Sequence, residues 1–161
     1  MHPHPLGGSR WAVERRQRRG GVLADLDLAA HRRLVDLVAG MVACSLAGED
    51  GPLDGAHDVS SGGLGVALAE MAIASGCGLV AGGGPNQAIG GHAELFTELP
   101  SRIVVSTHRT DEVLAAAHAA GVAASVVGTA GGDRLVVGDL VDVAVSGLRS
   151  RWSEALPALF D

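Results

Sequence analysis

Lysine and tyrosine are both absent from this chain. Its 12 basic residues are all arginines, which excludes a Walker-type phosphate loop, a Schiff-base mechanism and a lysine general base, since each uses the lysine nitrogen itself. Aromatic residues make up only 2% of the sequence, so the core must be built from Ala, Val and Leu. Single-strand nucleic-acid binding thereby loses its stacking platforms. Positive charge is scarce too: 12 basic residues face 18 acidic ones, for a net charge of −6. A phosphate-backbone binder carries the opposite balance, so no nucleic-acid partner is expected. No uninterrupted apolar run approaches the roughly 20 residues of a membrane span. The opening Met1-His2-Pro3-His4-Pro5 has no signal-peptide apolar core before Arg10, and the expectation is a cytoplasmic protein without a membrane partner. Cysteine is limited to Cys44 and Cys77, with no CxxC spacing; two buried, reduced thiols and no metal site are expected.

What is present is glycine, 24 residues of it, in a chain of 161 that is 47% hydrophobic. That length suits one hydrophobic core. Residues 1–28 read as an N-terminal arm or linker, with an arginine run at Arg15, Arg16, Arg18 and Arg19, and residues 29–161 as the domain proper. Within the arm, Leu6-Gly7-Gly8-Ser9-Arg10-Trp11 stands out, because a tryptophan beside two glycines needs a surface to cover it, and that surface can lie outside this chain.

From Asp27, a candidate N-cap, apolar residues recur at three- and four-residue spacing through Leu34, Leu37, Val38, Met41 and Cys44, which predicts a helix over 28–47. A strand is predicted at Ala56 to Val59, and then a helix from Leu64 to Ser75, apolar on nearly every face and ended by Gly76 as a left-handed cap. Gly78 to Ala81 predicts a strand, and the glycine clusters at 82–84 and 90–91 a loop. A short helix near 93–98, a strand over 102–106 and a helix over 110–120 follow. Strands are then predicted at 124–127, 134–137 and 141–144, with Gly131-Gly132-Asp133 as a hairpin turn, before a helix from about Gly147. The class is α+β: an α/β sandwich with a mixed β-sheet of about four to six strands and helices packed on one face.

The run that carries chemistry is His57-Asp58-Val59-Ser60-Ser61-Gly62-Gly63-Leu64, a strand end, a small-residue turn and a helix start. Such a turn turns backbone N–H groups toward an anion at the positive end of the helix dipole, and its glycines leave room for a phosphate. Ser60, Ser61, Gly62 and Gly63 are therefore the candidate phosphate-binding residues, with His57 and Asp58 flanking them. Two alternatives stay open: Asp58 as a cap of the turn, and His57 as a hydrogen-bonded structural residue.

The run from Ala56 to Ala72 resembles the HDVSDGGLAVALAEMA segment in the last domain of phosphoribosylformylglycinamidine synthase. Glu94 to Ser106 is similar to that family's LFSESPSRVVVS stretch, and Leu6 to Trp11 to its LGGSE segment. Ser61 stands where the family motif has Asp, and Leu99 where it has Ser. The resemblance implies a C-terminal domain of the aminoimidazole ribonucleotide synthetase type, from an enzyme that converts formylglycinamide ribonucleotide, ATP and glutamine-derived ammonia into the amidine, with Mg2+. It implies that Ser60, Gly62 and Gly63 cradle a ribonucleotide phosphate, that no catalytic residue lies in this chain, and that the chain alone holds no cofactor, ATP and Mg2+ belonging to the complete enzyme. The partners it implies are the upstream synthase domains on another chain, with self-association as the other outcome. Alone, the chain is expected to be inactive as an ATP-dependent carbon–nitrogen ligase. A second reading is a non-catalytic structural or interaction module derived from that domain.

Overall fold

A computed structural model describes residues 6–17, 20, 24–48, 50–82, 89, 91–155 and 157. Arg18 and Arg19 of the arginine run, and 83–88 and 90 of the glycine-rich loop, lie outside the described residues.

Within the segment read as an arm, α1 (Arg10–Arg16) forms because the Ser9 hydroxyl accepts from the Ala12 N–H at 3.2 Å. Leu6 and Ser9 are buried. Trp11 finds its cover inside the chain: the Arg16 guanidinium lies 5.4 Å from its ring centroid and the His92 ring also 5.4 Å away.

Helix α2 (Leu28–Ala47) occupies the predicted span, and the Asp27 carboxylate accepts from the Ala29 and Ala30 N–H groups at 2.9 and 3.0 Å. Its packing is shallow. None of its residues is buried, and Leu28 and Leu46 are largely exposed, so the apolar periodicity yields a half-buried stripe. Cys44 is exposed on this helix and Cys77 half-buried; both are free, which corrects the expectation of two buried thiols.

Strand β1 (Gly55–Asp58) leads into α3 (Gly63–Ser75), which buries Leu64, Ala67, Leu68 and Ala72 along one stripe. Gly76 ends α3 at φ 71°, its N–H donating to the Ala72 carbonyl, as a left-handed cap should. Then come β2 (Leu79–Ala81), α4 (His92–Phe96), β3 (Ile103–Ser106) and α5 (Thr110–Ala119). The chain continues with β4 (Gly128–Ala130), β5 (Arg134–Val137), β6 (Val141–Ala144) and α6 (Val145–Glu154), the last starting two residues before the expected Gly147.

The strands divide into two sheets. β1 and β3 form an antiparallel pair running from Gly55↔Ser106 to Asp58↔Ile103. The other four lie in the order β4-β2-β5-β6, with β2 and β5 parallel and the other pairs antiparallel. Two expectations are corrected here. The strand expected at 124–127 forms instead at Gly128–Ala130, where Gly128 faces β2 so closely that a Cβ would meet Ala81 Cα at 2.8 Å. Gly131-Gly132-Asp133 is no hairpin turn, because β2 inserts between the strands it connects; the hairpin is β5–β6, with Gly138 at φ 49° in its turn.

Helices α3 and α6 pack on each other and on the four-stranded sheet, and α3 also touches β1, β3 and α4. The main core is Val59, Leu64, Ala67, Leu68, Ala81, Leu95, Leu135 and Val137, with Phe96 at its margin. It is aliphatic, as the shortage of aromatics required. The fold is α+β, and α3 is its central element, with its N-terminus set by the β1–α3 turn.

Candidate functional site

Four residues carry the chain from β1 into α3, and their conformations explain their identities. The Val59 N–H still belongs to the strand pair, donating to the Arg102 carbonyl at 2.9 Å. Ser60 and Ser61 then turn outward and are exposed. Gly62 and Gly63 both take left-handed backbone angles, φ 86° and 69°, which a side chain disfavours. Gly63 is buried, and a Cβ there would lie 2.6 Å from the Leu95 carbonyl oxygen. The glycines are thus required by backbone angle and, at Gly63, by the close approach of the end of α4.

The turn's amides are partly used within the chain. The Gly63 N–H donates to the Ser60 carbonyl at 2.9 Å, closing the turn. The Gly62 N–H donates to Oε1 of Glu98 at 2.8 Å. The same oxygen accepts from the Arg10 N–H at 2.8 Å. A carboxylate therefore already lies against the start of α3, where the helix dipole favours negative charge.

The structure does not bring His57 to the turn's amides. Its Nδ1 lies 2.7 Å from the Asp58 carbonyl oxygen and its Nε2 3.2 Å from Glu70 Oε2, so the half-buried ring links β1 to the third turn of α3. Asp58 is exposed, with Oδ1 3.7 Å from His57 Nδ1. Of the six candidates, Ser60, Ser61, Gly62 and Gly63 share one turn, while His57 lies between Asp58 and Glu70 of α3.

Glu98 is the residue that sequence reasoning missed. Its partners stand 36 and 88 positions earlier in the chain, and both contribute backbone N–H groups that leave no mark in a sequence. The only signal was indirect: Leu6 to Trp11, Ala56 to Ala72 and Glu94 to Ser106 are the three segments of the family resemblance, and Glu98 joins all three.

A family model, the C-terminal domain of AIR synthase related protein, matches residues 3–140. The chain belongs to the AIR synthase related C-terminal domain family. Among its relatives are the phosphoribosylformylglycinamidine synthase subunits PurL of Granulibacter bethesdensis, 40% identical over 154 residues, and of Rhodospirillum rubrum, 40% identical over 156 residues. Those alignments cover 96% and 94% of this chain but 20% of each relative, so the chain spans about a fifth of the length of the curated relatives it matches. The solved structure of Thermotoga maritima PurL complexed with ATP matches with a TM-score of 0.63 at 20% identity, over 80% of this chain and 23% of that one. That likeness is one of fold.

Among the described residues no three His, Cys, Asp or Glu side chains are grouped to hold a metal ion, and Ser60, Ser61, Gly62 and Gly63 supply no carboxylate oxygen of their own. Mg2+ therefore does not fit the donors among the described residues. No helix among the described residues is long and apolar enough to cross a membrane.

Proposed function

We propose that this chain supplies the terminal domain of a phosphoribosylformylglycinamidine synthase, working in purine biosynthesis in the cytoplasm and inactive without the upstream domains. The observation that carries this reading is the alignment of nearly the whole chain, at 40% identity, to a fifth of PurL relatives. In the assembled enzyme its part is to present a surface to the ribonucleotide phosphate. The exposed Ser60 and Ser61 hydroxyls donate to phosphate oxygens at the positive end of α3, while glycine at 62 and 63 lets the turn close against Val66 and the Leu95–Phe96 backbone. ATP and Mg2+ are held by the rest of the enzyme.

One observation favours the second reading, a structural or interaction module: the Gly62 and Gly63 N–H groups already have partners inside the chain. A complementation assay separates the two. The purified chain is mixed with a PurL lacking its own last domain, and amidine formation from formylglycinamide ribonucleotide, ATP, Mg2+ and ammonia is followed. Turnover restored by the wild-type chain and lowered by Ser60→Ala with Ser61→Ala supports the synthase reading. Assembly without turnover supports the module, and steady turnover by the chain alone overturns the dependence on upstream domains.

A further inference from the structure

Glu98 lies two residues beyond α4, and its Oε1 accepts from the first amide of α1 and from the N-cap amide of α3, both at 2.8 Å. Distances of that length are those of charge-assisted hydrogen bonds. Each donor sits at a helix start, where N–H groups lack intrahelical partners. The surroundings hold the carboxylate in place: Leu95, three residues before Glu98, is fully buried, and the Leu95 and Phe96 backbone rests against Gly63. Just before α1, Leu6 is buried and its carbonyl accepts from the Ser9 hydroxyl at 2.8 Å, fixing the turn that presents the Arg10 N–H.

We propose that Glu98 is the positioning residue of the Ser60–Gly63 turn and serves as its built-in anion, occupying the Gly62 N–H that a ligand phosphate oxygen would otherwise take. This inference rests on the phosphate reading above and refines it. One N–H cannot serve two oxygens equally, and a carboxylate beside a phosphate repels it. Phosphate gains the Gly62 N–H only by displacing Glu98, and the displacement also frees the Arg10 N–H. Free inorganic phosphate, with no other contacts to offset the displacement, is thereby disfavoured against a phosphate carried on a larger ligand. Glu98 thus sets specificity for a phosphorylated ribonucleotide over the bare anion.

The test uses the full chain, isotope-labelled for amide NMR and titrated with inorganic phosphate. Glu98→Gln keeps an oxygen able to accept both amides and removes the charge. It is expected to fold like wild type by circular dichroism and to bind phosphate about tenfold tighter, the difference between a charged and a neutral acceptor at one amide. A residue with a purely structural role would leave that affinity unchanged. In the wild-type chain, the Gly62 and Arg10 amide signals are expected to shift together with one midpoint, a result that decides the matter even where the variant fails to fold. Shifts at Ser60 and Ser61 with Arg10 silent, or equal affinity in the two proteins, would overturn the role of Glu98 while leaving the phosphate reading intact. No shift anywhere in the turn of either protein overturns both.

Discussion

Gly63→Ala tests the turn directly, and Gly132→Ala is its natural control. Both glycines have φ 69°, so alanine meets the same left-handed backbone penalty at each, roughly 1–2 kcal/mol. Their surroundings differ. A Cβ at 132 meets nothing within 4 Å, whereas at 63 it would lie 2.6 Å from the Leu95 carbonyl oxygen and 2.9 Å from Phe96 Cα. Those are backbone atoms, which cannot rotate aside as a side-chain end can, and overpacking of that kind typically adds about 1–3 kcal/mol. The sum for Gly63→Ala is about 2–5 kcal/mol. In a domain of this size each kcal/mol lowers Tm by about 2–4 °C, so the expected losses are about 2–8 °C at 132 and about 4–20 °C at 63. Thermal unfolding followed by far-ultraviolet circular dichroism measures both. The shift at 63 also pushes the turn away from the segment carrying Glu98, so the variant is expected to lose amide protection at Gly62 ahead of the rest of α3. Equal losses at the two positions, or a smaller one at 63, refute the idea that backbone approach between the turn and the Leu95–Phe96 segment makes the glycine necessary.

Leu95→Ala, at a side chain 0% exposed, should cost about 2–5 kcal/mol in urea unfolding. Leu46→Ala, 84% exposed on α2, should stay within about 0.5 kcal/mol, and a large loss there would mean that α2 packs more deeply than described. Thiol labelling with peptide mapping should modify exposed Cys44 well before half-buried Cys77; the reverse order contradicts the placement of α2. Hydrogen bonding from the Ala30 N–H, reinforced by the Ala29 N–H and Arg33, holds the Asp27 carboxyl below its ordinary range. A carboxyl whose pKa is depressed on folding stabilises the fold fully above its unfolded value, and that contribution is lost as pH falls through the folded one. Acid should therefore weaken the start of α2 in the wild-type chain more than in Asp27→Asn, which keeps a capping oxygen without the charge. Identical acid profiles for amide exchange at Ala29 and Ala30 would contradict this.

Much of this protein was decided locally and could be read in order along the chain. The span of α2, its Asp27 cap, the Gly76 stop of α3 and the strands at 134–137 and 141–144 depend on neighbours a few residues away, through capping hydrogen bonds, left-handed backbone angles and apolar spacing. The Ser60–Gly63 turn was legible for the same reason: two adjacent left-handed residues between a strand and a helix call for two glycines. The tertiary structure alone decided what rests on distant segments. β2 enters between β4 and β5 and turns an apparent hairpin into a crossover, and the register with β2 selects Gly128–Ala130 as a strand over the more apolar residues before it. The stripe on α2 shows its spacing but not its burial, because periodicity states which face is apolar and not what covers it. Glu98 is the plainest case: its role consists of two backbone N–H groups brought to one oxygen by folding, and a backbone amide has no identity in a sequence until the chain places it.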